Sequence, residues 1–136
     1  MAKVRLLFVC VENSCRSQMA EGFAGHYGGE AVDVHSAGSA PSGKVNPRAV
    51  ELMRERDIDI EGQRSNGLDD LPSAGWDWVV TMGCGDACPQ LPTKNRADWQ
   101  VDDPFDLPIE EFRAVRDDVE RRVAVLLREC GLSVDL

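Results

Sequence analysis

The feature that most constrains this chain is a short apolar run that ends in a polar loop and passes straight into a helix signal. Val4-Arg5-Leu6-Leu7-Phe8-Val9 has the length and residue types of a strand buried on both faces. The loop Cys10 to Arg16 follows without a spacer. Met19, Ala20, Phe23, Ala24 and Tyr27 then recur at helical spacing, and Gly28-Gly29 stops that helix. The alternation continues. Ala31 to Ser36 reads as a second strand, and Gly38 to Gly43 is turn-rich. Asn46 is an N-cap with Pro47 at the first helical position, beginning a helix that runs to about Arg56. Val45 and Val50 sit where a hydrophobic staple would place them. Gly62 to Gly75 is mostly loop, with one helical turn near Asp69 to Leu71. Trp76 to Met82 is the third strand, Gly83 to Lys94 a loop with two cysteines, and Asp98 to Val101 a short fourth strand. Phe112, Val115, Val119, Val123 and Leu126 form one stripe of a last helix over about Ile109 to Arg128. Strands alternating with helices, without a repeat or linker, predict a parallel α/β sheet in a single domain spanning 1–136.

A chain of 136 residues can bury a real core without metal or disulfide staples. No apolar run approaches the roughly 20 residues of a membrane span. The opening stretch reads as a buried strand rather than a signal peptide, which predicts a reducing cytoplasm where thiols stay free unless they are in use. The formal charge of −9 disfavours nucleic acid as a partner and requires any anion site to be a local positive feature. Five cysteines, Cys10, Cys15, Cys84, Cys88 and Cys130, are many for such a chain. Their spacing, with only His26 and His35 as histidines, does not form a structural zinc set. Inert buried thiols or redox chemistry remain.

Cys10 to Arg16 fits Cys-x5-Arg. Its place adds the weight, because in open α/β sheets ligands bind at the C-terminal ends of the strands. Inward N–H groups and a helix N-terminus would make a cradle for a tetrahedral oxyanion, formed by Val11, Glu12, Asn13, Ser14, Cys15, Arg16 and Ser17. Arg16 could bind two oxygens in bidentate fashion, and the same field would favour the nucleophilic thiolate of Cys10. Ser17 could donate a hydrogen bond to that sulfur, and Asn13 could brace the loop.

Cys10 to Ala20, Cys-Val-Glu-Asn-Ser-Cys-Arg-Ser-Gln-Met-Ala, resembles the low-molecular-weight tyrosine phosphatases and their arsenate reductase relatives. The continuation Ser17-Gln18-Met19-Ala20-Glu21 looks more like the reductases. Val34-His35-Ser36-Ala37-Gly38 resembles the second-strand signature of that superfamily, and Asp102-Asp103-Pro104 its general-acid loop. The resemblance spans nearly the whole chain and implies a four-stranded parallel sheet flanked by helices. It implies Asp103, with Asp102 as the alternative, as the acid that protonates the departing oxygen. It also implies that Cys84 resolves Cys10 and Cys88 then resolves Cys84, reducing arsenate to arsenite with electrons from thioredoxin and no tightly bound cofactor. The Gly-Cys-Gly-Asp-x-Cys-Pro pattern also resembles reductases served by a low-molecular-weight thiol such as mycothiol, so the donor stays open between thioredoxin and a mycothiol or glutaredoxin system. Arsenate, phosphate or sulfate would occupy the loop, with neither nucleic acid nor membrane as partner.

Asn13, Glu21 and Ser36 match positions that bind potassium in some of these reductases, although Asn66 stands where an aspartate is expected. Cys15 could pair with Cys10 under oxidation, or simply pack. Cys130 has no assigned role, and Trp76, Trp78 and Trp99 read as core. The alternative activity is a tyrosine phosphatase hydrolysing phosphate monoesters through a phosphocysteine, which has no need of Cys84 or Cys88. A non-enzymatic anion-binding or thiol-sensing module would keep the loop but not Asp103. Weak phosphatase activity is expected beside the reduction.

Overall fold

The computed structural model describes residues 3–72, 75–83 and 91–134. They form a single α/β domain. Its elements are β1 (Val4–Cys10), α1 (Arg16–Gly28), β2 (Val32–Gly38), α2 (Pro47–Arg54), β3 (Trp76–Thr81), β4 (Thr93–Asp98) and α3 (Ile109–Glu129). Short 3-10 turns lie at Gly29–Ala31 and Leu68–Asp70. The four strands are all parallel, in the order β2-β1-β3-β4. Cys10 lies opposite Gly38, Val9 opposite Thr81, and Thr81 opposite Asp98. All four strands therefore finish along one edge of the sheet, which is where the loops with chemistry leave it.

Side chains of β1 alternate between two apolar layers, as the period of two in a strand requires. Leu6, Phe8 and Cys10 join a large core with Met19 and Phe23 of α1, Leu52 and Met53 of α2, and Phe112, Val119, Val123 and Leu127 of α3. Leu7 and Val9 join a smaller cluster with Ala37, Trp76 and Val79, edged by Leu68, Leu71 and Leu91. Helix α2 starts where capping chemistry places it: Asn46 Oδ1 accepts the Arg48 N–H at 2.8 Å. Trp76 is buried and carries the Arg5 guanidinium 4.6 Å from its ring centre, while Trp99 packs 5.8 Å from Phe8.

The fourth strand differs from expectation. It is Thr93–Asp98, not Asp98 to Val101. Thr93, Lys94, Asn95 and Arg96 carry no apolar pattern because β4 is an edge strand, mostly exposed and held by its backbone pairing to β3. Val101 is buried outside any strand, and its N–H turns back onto the Trp99 carbonyl at 3.0 Å.

Candidate active site

The loop between β1 and α1 is held from outside by its carbonyls. Ser39 donates its N–H to the Cys10 carbonyl at 3.3 Å, Ala40 to Val11 at 2.8 Å, Ser42 to Glu12 at 3.0 Å and Asn46 to Ser14 at 2.9 Å. Peptide planes anchored this way turn their amides toward the other side, and the Asn13 N–H duly points at Cys10 Sγ, 3.2 Å away. Asn13 takes the left-handed conformation, with φ of 50°, which asparagine tolerates better than most residues. Its buried side chain fixes the turn: Oδ1 accepts from Asn66 N at 2.6 Å and from Gln18 Nε2 at 3.0 Å. Asn13 Nδ2 donates to Ser17 Oγ at 2.7 Å. With its oxygen accepting there, the Ser17 hydroxyl has its proton free for Cys10 Sγ at 2.9 Å. The Asn13 N–H and the Ser17 hydroxyl thus both lie within hydrogen-bond distance of one sulfur.

The loop can lie this close to β2 only because residue 38 is glycine. A β-carbon on Gly38 would fall 2.4 Å from the Val11 carbonyl oxygen and 2.9 Å from Asn13 N.

Cys10, Glu12, Ser14, Cys15, Arg16 and Asp103 line a small cleft. Arg16 is buried; its Nη1 donates to the Val101 carbonyl at 3.2 Å and its Nη2 lies 3.9 Å from Asp103 Oδ2. The Asp103 side chain is half exposed, and its Oδ1 accepts the Phe105 N–H at 3.1 Å. Asp102 faces a different groove, with Gln100, Leu107 and Glu111. The structure therefore brings Asp103, and not Asp102, to the cleft of Cys10. Burial pushes the Cys15 thiol up to about 11, opposed by the Ser14 hydroxyl. Cys130 is half-buried, away from the cleft, and burial raises its thiol as well. Cys84 and Cys88 lie outside the described residues.

Glu21 and Ser36 are neighbours, with Ser36 Oγ donating to Glu21 Oε1, and burial lifts the Glu21 carboxyl above its ordinary range. Of the third potassium candidate, Asn13, the Oδ1 accepts from Gln18 Nε2 and Asn66 N. Gln18, fully buried, was not among the expected site residues. Its amide donates to Asn13 O at 2.9 Å and Arg64 O at 2.8 Å, and its Oε1 accepts from Gln63 Nε2 at 2.8 Å. Its signal in the sequence is only a polar residue between apolar positions of α1.

A buried strand that ends in a cysteine loop closed by arginine, with an aspartate facing it from a later loop, defines a phosphatase-type oxyanion site. The Low molecular weight phosphotyrosine protein phosphatase family matches residues 5–134, and the chain belongs to that family. Among its relatives, the chain is similar to an arsenate reductase of Staphylococcus aureus strain Newman, 43% identical over 124 residues, 88% of this chain and 93% of that one. It is also 41% identical over 126 residues to the glutaredoxin arsenate reductase of Synechocystis sp., covering 90% and 95% of the two chains. The structure of an arsenate reductase in the phosphate binding state superposes with a TM-score of 0.84 at 39% identity, covering 93% of this chain and 98% of that one. A Corynebacterium glutamicum thioredoxin-dependent arsenate reductase superposes at 0.77 with 34% identity, over 93% of this chain and 61% of that one.

Proposed function

We propose that this chain reduces arsenate to arsenite, with the whole of 1–136 acting as one catalytic domain. The observation that carries the mechanism is the setting of Cys10 Sγ, between the Asn13 N–H and the Ser17 hydroxyl, in a cleft shared with Arg16 and Asp103. Arsenate enters as a tetrahedral anion and is met by loop amides and the Arg16 guanidinium. The Cys10 thiolate attacks arsenic, and an oxygen leaves as water after protonation by Asp103. A second thiol, assigned to Cys84, attacks the Cys10 sulfur. The electron pair of the S–As bond passes to arsenic, releasing arsenite, and a Cys10–Cys84 disulfide remains. Cys88 takes over Cys84 and frees Cys10, and an external dithiol reduces the last bridge. Two thiols thus supply the two electrons that arsenic gains.

The similarity to thioredoxin-dependent and glutaredoxin-type reductases supports thiol-derived electrons, and thioredoxin is the donor we favour, with a mycothiol or glutaredoxin system as the alternative. Free-thiol chemistry of this kind belongs in a reducing cytoplasm. No helix among the described residues is long and apolar enough to cross a membrane.

The test is arsenate-dependent NADPH oxidation with thioredoxin and thioredoxin reductase, run beside the small-thiol systems. Cys10→Ser should abolish turnover. Arg16→Lys should be severely impaired, because an ammonium cannot reproduce the planar fork. Cys84→Ser should stop arsenate reduction yet spare slow p-nitrophenyl phosphate hydrolysis, which needs only Cys10, Arg16 and Asp103. Arsenate turnover that survives Cys84→Ser would remove the relay. Mass spectrometry after one turnover without reductant should find a Cys84–Cys88 bridge. A persistent bridge to Cys10 would reduce the relay to two cysteines, and turnover restored only by a small thiol, with no protein disulfide, would assign that thiol as donor.

A further inference from the structure

Gly83 lies directly against the Arg16 guanidinium. A β-carbon at position 83 would fall 2.6 Å from Arg16 Nη1 and 3.8 Å from Cζ, and the residue takes a φ of +77°. Its place is set by the sheet: the Met82 N–H bonds the Val9 carbonyl at 2.8 Å, one residue before Cys10. On its other side, Arg16 Nη1 is held by the Val101 carbonyl at 3.2 Å. The guanidinium therefore occupies a slot between Val101 and residue 83, and the absence of a side chain at 83 gives the slot its width.

We propose that Gly83 is a positioning residue for the oxyanion clamp, reserving the volume from which Arg16 reaches a tetrahedral anion above Cys10. The crowded atom is the free end of a long side chain. A β-carbon at 83 is accommodated by displacing the guanidinium rather than the sheet, so the main loss falls on anion binding. The residue that seats the clamp is also the one that precedes Cys84 in the chain, so anion binding and the start of the thiol segment share a residue. The inference rests on Arg16 being the oxyanion-binding group.

Inorganic phosphate is the probe, its affinity for the reduced protein read from protection of Cys10 against iodoacetamide. Gly83→Ala should weaken phosphate about ten- to a hundredfold, the size of a misplaced charge-assisted hydrogen bond. Gly83→Asn, which tolerates positive φ but carries a β-carbon, should lose affinity to the same extent, separating crowding from backbone strain. Combined with Arg16→Ala, Gly83→Ala should add less than about a twofold further loss, because its effect passes through Arg16. Wild-type affinity in both position-83 variants, or an equal loss with and without Arg16, would overturn the proposal. If Arg16→Ala itself binds phosphate normally, the clamp assignment fails and the proposal with it. Normal binding by both position-83 variants beside an impaired Arg16→Ala defeats the proposal alone.

Discussion

Two thiols five residues apart in one loop have different surroundings. Cys10 Sγ receives the Asn13 N–H and the Ser17 hydroxyl. Cys15 has burial around it and one long contact from Ser14. With its thiol pushed from 9.0 to about 11, its thiolate fraction near neutral pH falls about a hundredfold below that of a free thiol. Alkylation at pH 8 followed by peptide mapping should leave Cys15 unmodified in the folded protein; labelling at the rate of an exposed thiol would contradict this. The cysteines and arginine of the loop were legible from spacing and position alone. Asn13 as a brace and Ser17 beside the sulfur were legible too, but the rest of what holds the loop was not. Gln18 reads as an ordinary helical residue, and the acceptor for Arg16 is a main-chain carbonyl, at Val101, which has no sequence signature at all.

Among the elements, those stated by side-chain chemistry were readable and the one stated by backbone pairing was not. Asn46-Pro47 announces α2, and the observed Asn46 Oδ1 to Arg48 N–H bond is the reason. Asn46→Ala should lower stability by about 1 kcal/mol in urea unfolding while leaving phosphate affinity within a factor of two; no loss of stability would show that the cap is idle. By contrast β4 is a charged ribbon, Thr93–Asp98, that its own residues do not declare; the aromatic and β-branched residues just after it, Trp99 and Val101, look more like a strand. Those two residues are occupied with the core and the site instead. Trp99 packs on Phe8, and Val101 offers its carbonyl to Arg16.

At the scale of the whole molecule, α3 is joined to α2 by charge as well as by apolar packing. Glu55 at the end of α2 accepts from Arg113 Nε at 3.1 Å and Nη2 at 2.8 Å, and from Arg116 Nη1 at 2.6 Å. Those two arginines, Arg113 first, hold its carboxyl down to about 2 from an ordinary 4.5. A carboxylate whose folded value is depressed contributes stability that is complete above 4.5 and is lost as the pH falls from there toward 2. Unfolding free energy should therefore decline over that interval, and Glu55→Gln should flatten the decline; an unchanged acid limb would show that the pair contributes nothing. The same architecture has an optical consequence. The main-chain N–H of Trp99 bonds the Thr81 carbonyl at the rim of β3, and the Trp99 carbonyl accepts the N–H of Val101, whose own carbonyl holds Arg16. The main chain that carries the Trp99 ring is thus tied through Val101 to the Arg16 guanidinium, whereas Trp76 sits at the opposite end of β3 under Arg5. Trp99 is thus the tryptophan nearest in bonding to the cleft, and a change in emission on phosphate addition that is lost in Trp99→Phe is the expected outcome.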